Sequence, residues 1–360
     1  MKLVVNALFL TQKITGVQRY AIEISKELKR IFNDKIKFVA PSNIIHHELA
    51  EYLDVEVIGN FTGFLWEQVD LKFYLSRNKN PLLLNMRNTA PLFHPKNIIV
   101  IHDLIFMKNK KWFSKKFPFI YRFFAPILLK KALKIITVSD FSKQDIIKTF
   151  NINPDMIEIV YNAVSKEFQE YSNENFENKY GDYILAVASF LSPRKNLCSA
   201  IKAFNKLQVQ DLKLVIVGAE LKHFSDQNML DEIKLNKNII LTGYVNDKIL
   251  ANFYKKAKLL VFPSFYEGFG IPAIEAMSCG CPVVASNVTS LPEVCADAAC
   301  YVNPYMVDDI ANGMNKILNN SELRNELIQK GYQRQTEFSW ENSAHKLTKI
   351  IENIYTNSEF

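Results

Sequence analysis

Short continuous apolar runs alternate with stretches of helical period along almost the whole chain. Lys2–Leu8, Ile36–Ala40, Asn97–His102, Ala132–Ser139, Tyr183–Ala188, Leu212–Val217, Leu259–Phe262 and Pro282–Ala285 are apolar at consecutive rather than alternate positions. That is the pattern of strands covered on both faces. Between them lie amphipathic segments such as Val17–Phe32, with Val17, Tyr20, Ala21, Ile24, Leu28 and Ile31 at helical spacing. Strands joined by helices pair in parallel, so the chain is expected to be α/β and doubly wound. Its 360 residues exceed one ordinary core and predict two Rossmann-like domains, 1–168 and 183–338. The polar stretch Phe168–Asp182, without clear period, reads as the linker, and 339–360 as a terminal helix with one apolar face.

The segment Leu259–Val294 carries the densest chemistry. An apolar strand leads into Glu267-Gly268-Phe269-Gly270, a helix opened by Pro272, and a second buried strand. Gly268 and Gly270 free the backbone for close approach to a ligand, and proline is tolerated in a first helical turn. A helix start favours an anion. A carboxylate facing a phosphate would be repelled, so Glu267 and Glu275 suit hydroxyl groups instead. The combination points to a ligand bearing both phosphates and sugar alcohols, against the blander reading of a surface loop with two solvated glutamates. Gly268 to Ala273 also satisfies a dinucleotide pattern. That pattern needs an acidic residue after the next strand, where Ser286-Asn287 stand here.

Arg194 and Lys195, between a strand and a helix, make an anion site from a planar donor fork and a compact charge. His102 ends a buried strand, where parallel sheets bind ligands, and its imidazole can donate to or accept from a hydroxyl. Asp103 either caps the following helix or orients His102. Gly16, at a strand-to-helix turn, is a candidate phosphate cradle or a plain turn glycine.

Charge is unevenly placed. Between Lys108 and Lys134 lie nine Lys/Arg and no Asp/Glu, interleaved with aromatic residues. This stretch fits an anionic membrane surface, or a helical pair with solvated lysines; no nucleic-acid module accompanies it. No apolar run is long enough to span a bilayer. MKLVVNALFL reads as a first strand rather than a leader, because no small-residue cleavage site follows. Five cysteines without framework spacing predict free buried thiols in a reducing compartment, and Cys279-Gly280-Cys281 lacks a companion pair for a metal.

Glu267-Gly268-Phe269-Gly270, followed by Pro272 and Glu275, resembles the E-x7-E motif of the retaining GT-B glycosyltransferases of family 4. Pro193-Arg194-Lys195-Asn196 resembles their diphosphate-binding turn, and IHDL at Ile101–Leu104 their strand-end histidine. The family usually has a glycine where Ala188-Ser189 stand. The resemblance covers nearly the whole chain. It implies two domains facing a cleft, an acceptor-binding first domain and a nucleotide-sugar-binding second one, with the last helix crossing back. Arg194 and Lys195 would stabilise the departing diphosphate, approached also by the Gly16 loop. Glu275 would hold ribose hydroxyls, and Glu267 a hydroxyl of the donor sugar, aided by backbone N–H groups from Phe269 to Ile271. His102 would contact the transferred sugar, and Gly218 with Tyr244-Val245 would border the nucleobase pocket. Family members are thought to use front-face substitution, with the leaving phosphate helping to deprotonate the acceptor. No Asp-x-Asp pair is present, so no metal and no cofactor are expected, the nucleotide sugar being a substrate.

The expected function is thus transfer of a hexose, with GDP-mannose as donor, to a glycan or lipid-linked acceptor in bacterial surface polysaccharide assembly. The expected location is cytoplasmic or peripheral at the inner membrane face. The alternatives are a non-catalytic nucleotide-sugar-binding subunit and an NAD-dependent oxidoreductase.

Overall fold

The computed structural model describes residues 3–108, 117–171, 177–188, 193–207, 209–219 and 227–357. The chain divides into two compact units: residues 1–162 with 339–360, and residues 163–338. Each is built on its own parallel sheet.

In the first unit the strands are β1 (Leu3–Asn6), β2 (Ile36–Ala40), β3 (Val55–Val57), β4 (Leu82–Asn85), β5 (Asn97–Ile101), β6 (Lys134–Thr137) and β7 (Ile157–Ile159). Their order is β3-β2-β1-β4-β5-β6-β7, so strand order reverses between β1 and β4. Every residue of β1, β4 and β5 is buried, which is why these runs are apolar throughout. Helix Gly16–Phe32 begins one residue earlier than its apolar period suggests. The Thr15 N–H donates to Gln18 Oε1 (3.2 Å), closing the first turn with the helix's own side chain. The last helix, Trp340–Asn357, packs against it, with Trp340 and Tyr20 rings edge to face at 5.8 Å.

The second unit holds β8 (Tyr183–Val187), β9 (Lys213–Val217), β10 (Ile239–Gly243), β11 (Leu259–Phe262), β12 (Val283–Ser286) and β13 (Ala299–Val302). They are ordered β10-β9-β8-β11-β12-β13, with the reversal between β8 and β11. Leu259 of β11 pairs with Ile184 of β8, and Leu260 with Val283 of β12. Ile184, Leu214, Ile216, Val261 and Val284 share one core with Leu197, Ile201, Ile310, Met314 and Ile317 from the covering helices.

Several sequence-based expectations change. The first domain was expected to run to 168 and the linker to begin there. Instead residues 166–171 form a helix, Lys166–Tyr171, that packs on helix Asp247–Lys256, with the Phe168 and Tyr254 rings 6.2 Å apart. Burying Phe168 ties this segment to the second unit. Helices His47–Tyr52 and Gln227–Leu235 were not anticipated; the first buries none of its residues and so carries no apolar period. Three of the five cysteines, Cys279, Cys281 and Cys295, are buried free thiols, whereas Cys198 is exposed and Cys300 half-buried. Burial pushes the Cys279 thiol up to about 12. No helix among the described residues is long and apolar enough to cross a membrane.

Candidate active site

The carboxyl edge of the second sheet gathers charged side chains at the strand-order reversal. β8 leads toward a short 3-10 turn, Pro193–Lys195, and β11 leads into the loop that carries Glu267. These strands are neighbours, so loops 60 to 80 residues apart in sequence meet. Arg194 Nη1 donates to Glu267 Oε2 (2.7 Å) and to the Tyr266 carbonyl (3.0 Å). Lys195 Nζ forms an ion pair with Glu267 Oε1 at 2.7 Å and lies 4.8 Å from the Phe262 ring centroid. The Lys195 and Glu267 side chains are only 5% and 6% exposed. Burial alone would raise the Glu267 carboxyl, but the two cations outweigh it and hold the group down at about 2.

The turn is fixed from below. Phe265 N–H donates to the Arg194 carbonyl (2.8 Å), and Asn196 Nδ2 donates to the carbonyls of Pro263 (3.0 Å) and Pro304 (2.7 Å). Gly270 caps helix Ile271–Ser278 at φ +108°, and a Cβ there would come 2.5 Å from Leu291 Cδ2. Both facts demand glycine. Glu275, in the second turn of that helix, is buried and accepts from the Tyr254 hydroxyl (3.1 Å). Burial and the adjacent Glu275 push the Tyr254 hydroxyl well up, so it stays a donor. Gly218 (φ +87°) and Gly243 (φ +68°) interlock at the ends of β9 and β10, through Gly218 N–H to Gly243 O at 2.7 Å and Gly243 N–H to Ala219 O at 3.1 Å. Tyr244 follows and is 80% exposed.

In the first unit His102 sits just beyond β5 and is buried. Its Nε2 is 3.0 Å from the Met86 carbonyl. A carbonyl only accepts, so Nε2 carries the proton and Nδ1 is the acceptor. Burial pushes the imidazole down to about 4, and it is neutral near pH 7. The sequence left its hydrogen-bonding sense open; this tautomer makes it an acceptor. Its backbone N–H donates to Asn88 Oδ1 (2.9 Å), and the Tyr20 ring meets the imidazole edge to face at 5.0 Å. Asp103 Oδ1 accepts from Ile105 N–H (3.1 Å), which is the capping alternative. Gly16 is the first residue of its helix and is exposed.

Two family descriptions together span most of the chain: Glycosyltransferase Family 4 over residues 14–168, and Glycosyl transferases group 1 over 167–334. The chain belongs to glycosyltransferase family 4. It is 34% identical over 225 residues to O-antigen chain mannosyltransferase B of Escherichia coli, a match covering 59% of each protein. It is 29% identical over 337 residues to O-antigen chain mannosyltransferase RfbU of Salmonella typhimurium, covering 89% of this chain and 91% of that one. Its fold is similar to that of WaaG, a glycosyltransferase involved in lipopolysaccharide biosynthesis, with a TM-score of 0.73 at 15% identity over 98% and 99% of the two chains. The two Rossmann-like sheets are those of the GT-B class.

Among the residues singled out in the sequence, Arg194, Lys195 and Glu267 converge in this family-4 chain, with Gly268, Phe269, Gly270, Ile271 and Glu275 on the same loop and helix. His102 and Gly16 belong to the first unit. Of Ala188-Ser189, on which the departure from the family pattern rests, Ser189 lies outside the described residues. A polar lattice escaped sequence analysis. Asn6 Nδ2 donates to the buried Glu67 of the first unit (3.1 Å) and to Asn85 Oδ1 (3.1 Å); Thr89 Oγ1 donates to Glu67 (2.9 Å). Its one signal was asparagine closing the apolar runs of β1 and β4.

Because the Glu267 carboxyl is held below its ordinary value near 4.5, it contributes stability fully above about pH 4.5 and loses it as pH falls toward 2. Glu267→Gln leaves two cations uncompensated and is expected to cost about 3 kcal/mol at pH 7. In urea titrations its deficit against the native protein should shrink between pH 4.5 and 3. Equal stability at pH 7 would contradict the triad's weight.

Proposed function

We propose that the protein is a retaining glycosyltransferase that moves a hexose from a nucleotide-diphosphate sugar to a glycan or lipid-linked acceptor in bacterial surface polysaccharide assembly. The observation that carries this reading is the Arg194–Lys195–Glu267 triad at the β8/β11 reversal. A carboxylate already holds the two cations together, and a diphosphate offers them more negative charge than Glu267 does. As the glycosidic bond breaks, charge grows on the leaving phosphate, and fixed cations stabilise it most at that moment. Phosphate neutralisation by these side chains and by the start of helix Ile271–Ser278 requires no divalent metal and no cofactor.

Within this reading Glu267 takes a donor-sugar hydroxyl, aided by backbone N–H groups from Phe269 to Ile271 in the loop that Gly268 and Gly270 free for close approach, and Glu275 takes ribose hydroxyls. Gly218 and Tyr244-Val245 border the base through backbone atoms, and Gly16 approaches the diphosphate. His102 Nδ1 accepts from a hydroxyl of the transferred sugar. GDP-mannose is the proposed donor, supported by the mannosyltransferase names of the similar O-antigen proteins. The strand after the glycine loop ends in Ser286 and Asn287, which gives an NAD ribose no carboxylate.

A peripheral seat on the inner membrane surface, with a cytoplasmic location, completes the proposal. Of the basic stretch 108–134, residues 109–116 lie outside the described residues. What supports membrane contact is an exposed apolar ridge beside it. Phe61, Leu65, Val69 and Phe73 are exposed along one side of 61–73, and Phe93 is 70% exposed. Arg77 lies over the Phe73 ring at 4.1 Å, and Lys72 and Lys131 reach the Phe93 ring at 5.0 and 5.8 Å. Apolar side chains rimmed by cations suit an anionic lipid surface.

Donor consumption against GDP-, UDP-, ADP- and dTDP-hexoses tests the activity. Lys195→Ala should lower turnover by about tenfold to a hundredfold with the fold intact; near-native rates would remove the diphosphate assignment. Donor binding without any transfer would point to a non-catalytic subunit instead. For the membrane, the native protein should float with phosphatidylglycerol vesicles, and Lys130→Glu with Lys131→Glu should not. A native protein that ignores such vesicles ends that part of the proposal.

A further inference from the structure

Thr289 adopts φ +61° and is the only β-branched residue with a left-handed backbone among the described residues. Most others in that region are Asn or Asp, which tolerate it, whereas a β-branched side chain meets its own backbone there. Glycine would relieve the strain, so a threonine kept in this conformation needs a compensating contact. The contacts of residues 289–290 all lead to one place. Thr289 Oγ1 accepts the Glu267 N–H at 3.3 Å. The fully buried Ser290 hydroxyl lies 3.0 Å from the Glu267 carbonyl and 2.8 Å from the Phe269 carbonyl, sharing its proton between them.

Both backbone polar groups of Glu267 are therefore held by this one turn. The turn is itself anchored at its start: Ser286 Oγ donates to the Ser264 carbonyl (2.7 Å), and Asn287 N–H donates to the Val302 carbonyl (2.9 Å). At its end Leu291 fills the space beneath Gly270.

We propose that Thr289 and Ser290 are positioning residues for Glu267: the strained turn aims a hydroxyl at the Glu267 amide and so fixes where its carboxylate points. This rests on the reading of Glu267 as a donor-site group. A turn retained only for folding would gain from losing its strain, while a positioning turn trades stability for placement.

The test uses Thr289→Gly, which removes strain and hydroxyl together, and Thr289→Ser, which keeps the hydroxyl. Melting temperature and kcat/KM are read on whichever of the GDP-, UDP-, ADP- or dTDP-hexoses the native protein consumes. Thr289→Gly should melt at or above the native temperature while kcat/KM falls by about tenfold; Thr289→Ser should stay within about twofold of native. Native turnover in Thr289→Gly, a lowered melting temperature in it, or equal losses in both variants would overturn the proposal. Glu267→Gln, run in parallel, separates the two readings. If it loses turnover and Thr289→Gly does not, only the positioning role fails. If neither loses turnover, or the native protein consumes no donor, the reading of the site fails and takes this one with it.

Discussion

Two buried or half-buried cations cannot share one edge of a sheet unless something of opposite sign stands between them. Here that is Glu267, and much of the second unit exists to put it there. Desolvation works against the carboxylate, and only the nearness of Arg194 and Lys195 keeps it ionised. A buried ion group of this kind adds little net stability compared with an apolar filling, but it fixes three side chains in register. It also leaves the cations ready for a ligand that can replace one carboxylate with a richer anion.

The parallel sheet makes the arrangement possible. With strand order reversing between β8 and β11, the connections leave in opposite directions and the two carboxyl ends open onto the same edge. The apolar consecutive residues of these strands are thus the distant cause of the charged site. The first unit repeats the plan: strand order reverses between β1 and β4, whose buried ends Asn6 and Asn85 join the lattice with Glu67 and Thr89, and the loop after β4 holds His102 Nε2 through the Met86 carbonyl.

What the sequence made legible were the strands, because a parallel strand writes its burial on every residue. Leu259–Phe262 and Ile36–Ala40 match their predicted bounds. Arg194 and Lys195 were legible as adjacent cations between a strand and a helix. That Glu267 would bind them was not: its partners lie 72 and 73 residues away, and only strand order brings them close. The helix Lys166–Tyr171 straddles the expected end of the first domain and start of the linker, because a single anchoring aromatic, Phe168, produces no period. Glu67 was invisible for the opposite reason, standing in a helical stretch where a charged residue ordinarily signals solvent.

The most direct measurement is calorimetric binding of GDP and GMP in EDTA, which isolates one phosphate. If fixed cations grip the diphosphate, GDP binds at least about tenfold tighter than GMP, and the difference largely disappears in the Arg194→Ala, Lys195→Ala double variant. Equal affinities in the native protein, or a preference for GDP that emerges only when a divalent metal is supplied, would contradict it.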